Sequence, residues 1–265
     1  MRSVTLLGAP SDINSSYLRG CARGPQEIRA ALASPSANSW TETGVDLSVE
    51  GRLLDKGDLD LGPDGADFDA LERAVRSYVE RDERVIVLGG DHAITAPVVR
   101  AHDCYREKLT LLHFDAHADL YDDFEGNPNS HASPFARIME QDGVKRLVQV
   151  GIRTLTAHLR EQCARFDVEV IEMRDWDRVH ELKLDSPVYV SLDLDVLDPA
   201  HAPGVSHWEP GGATTRQVMA VIQSLRCEVV GADVVELNPE RDPSGMTAMV
   251  GARLVRELCG AMLGD

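Results

Sequence analysis

The chain has 265 residues, 43% of them hydrophobic but only 5% aromatic, and a formal net charge of −17. That length suits one α/β domain over residues 1–265 with an aliphatic core, two domains being the alternative. The acidic balance argues against nucleic acid and membrane partners and favours small cationic molecules, although a solvated surface suited to a salt-tolerant host would have the same composition.

Short apolar runs recur along the chain and end in Gly-, Asp- or Pro-rich turns. Val4 to Leu7 precedes Gly8-Ala9-Pro10, and Val85 to Leu88 precedes Gly89-Gly90-Asp91-His92. Leu109 to Leu112 leads into His113-Phe114-Asp115-Ala116-His117, and Leu147 to Val150 stops at Gly151. Val168 to Ile171, Val188 to Leu192 and Val229 to Val235 complete the set. The runs are rich in β-branched residues and lack clean alternation, as strands buried on both faces of a parallel sheet do. Helical patterns lie between them. Asp69-Ala70-Leu71-Glu72 reads as a capping box, followed by Leu71, Val75, Tyr78 and Val79 at helical spacing. Leu155 to Phe166 and Gly245 to Leu263 also read as helices, whereas 33–44 and 122–133 read as loops. Alternating strands and helices predict a doubly wound α/β fold, whose ligands bind at the carboxyl ends of the strands.

Cys21, Cys104, Cys163, Cys227 and Cys259 are odd in number, widely spaced and without a C-x-x-C, which argues against a disulfide framework or a zinc ribbon. No stretch approaches the ~20 apolar residues of a membrane span. Met1-Arg2-Ser3-Val4 runs straight into a strand-like segment without a secretory pattern. A cytoplasmic location is therefore expected.

Three strand ends carry the chemistry. Asp115, His117 and Asp119 fall at i, i+2 and i+4, which in an extended chain point to one side. Asp193 and Asp195 repeat the pattern, and the glycines of Gly89-Gly90-Asp91-His92 suit a tight turn presenting His92. Six ligands exceed what one ion needs, so two ions sharing bridging carboxylates fit better; at ~3.5–4 Å apart they hold a hydroxide at neutral pH. Four carboxylates and two imidazoles form a hard, oxygen-rich set that favours two Mn2+ over zinc, with Ni2+ or Co2+ as other candidates. Single Asp-x-Asp pairs are usually turns and caps; the three segments together are hard to read that way. His113 is expected to be a satisfied core histidine, and Asp91 to cap the turn beside His92.

These stretches resemble the ureohydrolase family of arginases and agmatinases. The resemblance is carried by Gly89-Gly90-Asp91-His92, 114–119, 191–199 and 233–239, and extends from about Val85 to the C-terminus. Asn14-Ser15-Ser16 and 24–29 match more weakly. Within the family the chain is most similar to plant-type arginases, through 124–127, 130–140 and 202–207. The resemblance implies a three-layer α/β/α sandwich around a mostly parallel eight-stranded sheet, and a homo-oligomer, trimeric or hexameric. It implies one ion on His92, Asp115, Asp119 and Asp193 and the other on Asp115, His117, Asp193 and Asp195. It also implies hydrolysis of a guanidino compound to urea and an amine by the bridging hydroxide. Catalysis would then involve Asp119, His131, which resembles the family's mobile histidine and would donate or shuttle a proton, and Glu236, which would pair with the guanidinium.

The substrate tail is expected to meet the loop 121–133, through Asn127, Asn129 and Ser130 together with His131 and Glu236. Those amides suit the carboxylate of arginine, whereas Asp122, Asp123 and Glu125 suit the free amine of agmatine; the plant-type resemblance tilts toward arginine. His207 is open between a substrate contact and a subunit contact. Alternatives are hydrolysis of guanidinobutyrate, guanidinopropionate, guanidine or formiminoglutamate, a single-metal deacetylase on a related fold, and an inactive paralogue serving as partner subunit. The complete second ligand set speaks against the last two.

Overall fold

The computed structural model describes residues 2–141, 143–184 and 187–264. Among them, eight strands form one sheet: β1 (Val4–Ala9), β2 (Leu53–Asp58), β3 (Arg84–Gly89), β4 (Thr110–Phe114), β5 (Arg146–Ile152), β6 (Glu169–Glu172), β7 (Val188–Asp193) and β8 (Val229–Val235). The order is β2-β1-β3-β8-β7-β4-β5-β6, and every ladder is parallel. Each of the seven apolar runs falls in a strand, save that Leu109 and Val168 stand one residue before β4 and β6. β2 has no such signature, because at the sheet edge Asp55, Lys56 and Asp58 can remain solvated.

The sheet is covered on both faces. On one, α1 (Gly24–Leu32), α6 (Thr215–Ser224) and α7 (Met246–Leu263) bury Ile28, Val218 and Leu254 against Leu6, Ile86, Leu112 and Val190. On the other, α2 (Phe68–Val79), α3 (Thr95–Arg100), α4 (Pro134–Met139) and α5 (Ala157–Arg165) bury Leu71, Val98, Phe135 and Leu159 against Leu7, Val87, Leu111 and Tyr189. This is the expected α/β/α sandwich. At ~1.5–3 kcal/mol per fully buried large aliphatic side chain, the two aliphatic layers offset the chain's lost freedom with few aromatics. The cap of α2 is Asp67, whose side chain accepts the Ala70 N–H; Asp69 lies inside the first turn instead. No helix of the described residues is long and apolar enough to cross a membrane.

Chain connectivity opens a crevice at the carboxyl ends of the four central strands. β3 and β4 are followed by α3 and α4 on one face, whereas β7 and β8 are followed by α6 and α7 on the other. Because β8 and β7 lie between β3 and β4, the outgoing chain parts to opposite sides at β3/β8 and again at β7/β4. A parallel sheet binds its ligands at such partings.

Candidate metal centre

The glycines after β3 permit close packing. A Cβ on Gly90 would stand 1.7 Å from the Ser11 carbonyl oxygen, and one on Gly89 would stand 2.6 Å from Val235 Cγ1. Neither glycine has a positive φ, so close approach, and not the tight turn expected, is what requires them. Asp91 then caps the following turn: Oδ1 accepts the Ala93 N–H, and Oδ2 accepts the Asn14 N–H. His92 is thereby held wholly inside the protein.

The other two segments converge, though not as extended strands. β4 ends at Phe114, Asp115 Oδ1 accepts the His117 N–H, and Asp119 has a left-handed φ of 49°. Asp193 closes β7 and accepts the Asp195 N–H at 2.7 Å, so the second Asp-x-Asp is a turn as well as a carboxylate pair. Asp195 Oδ1 accepts the Ala116 N–H and ties the two loops together.

All six expected ligands meet in the crevice. His92 Nδ1 lies 3.1 Å from Asp115 Oδ2, 3.1 Å from Asp119 Oδ2 and 3.2 Å from Asp193 Oδ2. His117 Nδ1 lies 3.3 Å from Asp115 Oδ1 and 3.0 Å from Asp195 Oδ2. Asp115 therefore turns one oxygen to each group, as a bridging carboxylate does. Asp193 turns Oδ2 to the His92 group, while its Oδ1 accepts the Asp195 N–H.

A hydrogen-bond chain leads to the same conclusion. Asp233 accepts from Tyr189, Thr95 and Ser191, the last at 2.7 Å. The Ser191 hydroxyl proton is thus committed, and its oxygen, 2.9 Å from His92 Nε2, accepts from that nitrogen. The neutral His92 ring then turns its lone pair on Nδ1 toward three carboxylate oxygens, and this buried Nδ1 has no hydrogen-bond partner. Four acidic side chains so close cannot all ionise unaided. Burial, then the charges of Asp195 and Asp115, push Asp193 well above the usual carboxylate range. Burial and Asp115 bring Asp195 to about 6. Against the cost of burial, the carboxylates hold His92 and His117 well above the usual imidazole range. So dense a set of carboxylates and imidazoles calls for cations to balance its charge. Lone pairs and hard oxygens in two groups sharing Asp115 form a binuclear metal-binding cluster.

A cavity of about 200 Å³ opens above the cluster, lined by residues that include Asp119, Asp193, Asp195, His117, His131, Glu236, Ser16, Tyr121, Phe124 and His207. Glu236, at a left-handed φ of 66°, accepts the His92 N–H at 2.9 Å through Oε1; His131 Nδ1 donates to the same oxygen at 2.8 Å. Despite burial, His131 and these hydrogen bonds hold Glu236 at about 2. Also despite burial, Glu236 lifts His131 to about 9. His131 Nε2 faces the Ser16 hydroxyl at 2.8 Å and the Ser16 N–H at 3.1 Å. The charged ring has a hydroxyl to donate to, and the neutral ring has an N–H to accept from. His207 lies in the cavity wall, 5.4 Å from the His131 ring and 5.8 Å from the His117 ring.

Asn127, Asn129 and Ser130 do not line this cavity. Asn127 donates to Asn14 Oδ1, while Asn129 and Ser130 line a separate cleft beside α3 and α4. Ser16, Tyr121 and Phe124 occupy the corresponding wall. Glu209, 3.8 Å from His117 Nε2, is another neighbour that sequence spacing missed; it lies in no motif segment, and Ser16 lies only in the weakly matching Asn14-Ser15-Ser16, so the fold is what brings them here.

The Arginase family model matches residues 2–260. Arginase 1, mitochondrial, of Arabidopsis thaliana is 49% identical over 97% of this chain and 80% of its own length. The agmatinase of Bacillus subtilis is 32% identical over 96% of the chain and 89% of its own. The solved arginase of Medicago truncatula superposes with a TM-score of 0.92 at 44% identity, covering 98% of this chain and 87% of that one. The relatives from Arabidopsis thaliana and Oryza sativa are named mitochondrial, which overturns the cytoplasmic placement expected from the sequence.

Proposed function

The chain belongs to the arginase family, and from that premise we propose that it hydrolyses L-arginine to urea and the corresponding amine with two manganese ions. Family, fold and cluster make it a metal-dependent amidinohydrolase acting on a guanidino substrate. The observation that carries the choice of arginine is graded similarity: relatives named arginase reach 46–49% identity over 97–98% of the chain, while those named agmatinase reach 31–32%. One observation favours agmatine as the second reading. No Lys or Arg is among the described residues lining the cavity, so a substrate carboxylate would rely on neutral donors such as Ser16.

In this reading His92, Asp115, Asp119 and Asp193 hold one ion, and Asp115, His117, Asp193 and Asp195 hold the other. When bound, the ions supply Lewis acidity and an activated water for attack at the guanidinium carbon. Glu236 faces the cavity as a carboxylate and orients the guanidinium by charge-assisted hydrogen bonds. His131 holds a proton on Nε2 and delivers it to the leaving nitrogen, with the Ser16 hydroxyl as the next station outward. Tyr121 and Phe124 narrow the approach of bulk water. A homo-oligomer, trimeric or hexameric, is part of the proposal; exposed Tyr17, Trp40, Trp208 and Met246 supply apolar surface for it.

Urea release from arginine, agmatine, 4-guanidinobutyrate, 3-guanidinopropionate and guanidine, after loading with manganese or nickel, tests the reading. Arginine as the best substrate by kcat/KM is the expected result. Preference for agmatine overturns the substrate, and faster turnover with nickel overturns the metal.

A further inference from the structure

A second buried chain of hydrogen bonds reaches the cluster, on the side of Asp115. It starts at Gln149 in β5, whose side-chain nitrogen lies 2.6 Å from the Ala118 carbonyl oxygen. Only a donor suits that position, so the amide's orientation is fixed by its neighbour. The same nitrogen lies 3.1 Å from His113 Nδ1, which must then accept. The proton of the neutral ring therefore sits on Nε2, 2.8 Å from Asp115 Oδ2. Gln149 and His113 are register partners on β5 and β4, both are fully buried, and the His113 ring stacks on Phe135 at 3.9 Å between centroids.

We propose that His113 is a positioning residue for the metal centre: its Nε2–H, oriented by Gln149, pins Asp115 so that Oδ2 faces the His92 group and Oδ1 faces the His117 group. This rests on the two-ion reading of the cluster. A carboxylate on two rotatable bonds has other orientations available, and only some turn an oxygen to each ion. The pin selects among them without adding charge.

His113 Nε2 is also close enough to His92 and Asp115 to be taken for a ligand. The hydrogen bonds oppose that role. A ligating Nε2 needs its lone pair, which moves the ring proton to Nδ1 and sets it against the Gln149 NH2. Gln149 cannot turn its oxygen there without facing the Ala118 carbonyl.

The test is calorimetric titration of the metal-free protein with Mn2+, beside thermal unfolding of the same metal-free samples. The wild type is expected to take two ions. His113→Phe keeps a ring against Phe135 and loses the donor; its Mn2+ affinity is expected to fall about 10- to 100-fold. His113→Gln returns an N–H near the Nε2 position and is expected to recover most of that loss. Gln149→Leu, which leaves His113 in place without its orienting amide, is expected to move affinity in the same direction and serves if His113→Phe does not fold. Wild-type affinity in His113→Phe, or in Gln149→Leu where the first variant does not fold, overturns the inference, whatever happens to thermal stability. So does X-ray absorption of the cobalt-loaded proteins that counts one imidazole fewer around the metal in His113→Gln than in the wild type. A wild type that takes fewer than two ions overturns the two-ion reading, and the inference with it.

Discussion

Replacing Glu236 with Gln isolates one buried charge pair, because the amide oxygen can still accept from His131 Nδ1 and from the His92 N–H. What is lost is the charge. His131 rises from its ordinary 6.5 to about 9, with Glu236 the cause that overcomes burial. Glu236 falls from 4.5 to about 2, with His131 the leading cause that does so. At about 1.4 kcal/mol per pKa unit, either partner gives about 3 kcal/mol for what is one interaction, counted once. The pH dependence follows from the two directions. The raised histidine contributes fully below 6.5, and that contribution is lost as pH rises through about 9. The lowered carboxylate contributes fully above 4.5, and that contribution is lost as pH falls through about 2. The stability difference between wild type and Glu236→Gln should thus be largest, up to about 3 kcal/mol, between pH 4.5 and 6.5, and shrink on either side. Urea denaturation of both metal-free proteins from pH 4 to 9, with a chelator present, measures it. A difference that stays flat across that range would refute the reasoning.

Two further perturbations probe the centre and its frame. Asp193→Ala removes the carboxylate that the proposed ligand map shares between both ions; urea release should fall by more than the ~10- to 100-fold typical of outer hydrogen-bond partners. The metal-free variant should lose no more than about 1–2 kcal/mol, because the lost Asp195 N–H cap is offset in part by removing a carboxylate that burial and like charge disfavour; a protein that keeps wild-type turnover would show the ligand map to be wrong. Gly90→Ala drives a Cβ to within 1.7 Å of the Ser11 carbonyl, backbone against backbone, and should cost about 3 kcal/mol or more, read as a shift of the denaturation midpoint. An unmoved midpoint would mean the contact relaxes freely.

The strands were legible where both faces are buried. Val85 to Leu88 or Val229 to Val235 can be read without help, whereas β2 mixes two leucines with Asp55, Lys56 and Asp58. The helix at 68–79 was legible from its apolar stripe, but its start was misplaced because Asp67 and Asp69 are equally plausible caps by residue type. The metal segments were found by parity along an extended chain. The residues do converge, yet through turns at Asp115, Asp119 and Asp193, which side-chain spacing alone does not distinguish from strand. Least legible was the cavity wall. Ser16 and Glu209 lie more than 100 residues from His131 and about 90 from His117, respectively; Ser16 sits in only a weak match and Glu209 in none, so the folded chain is what joins them to the site.

The order of strands also bears on how the centre comes into being. β3 and β4 are made early and end up separated by β8 and β7, which are among the last elements synthesised. A nascent chain that stops before Val188 already carries His92, Asp115, His117 and Asp119, but it lacks the two strands that hold them at the right separation. Until those strands arrive, β3 and β4 each present an open edge able to pair with the wrong neighbour. Capturing the metals is therefore a late event, and it depends on insertion into the middle of the sheet, not on growth at its rim. Closing that gap draws together residues more than 100 positions apart, the kind of contact that makes folding slow. An ion that binds only the completed centre then favours the finished sheet over every partial one.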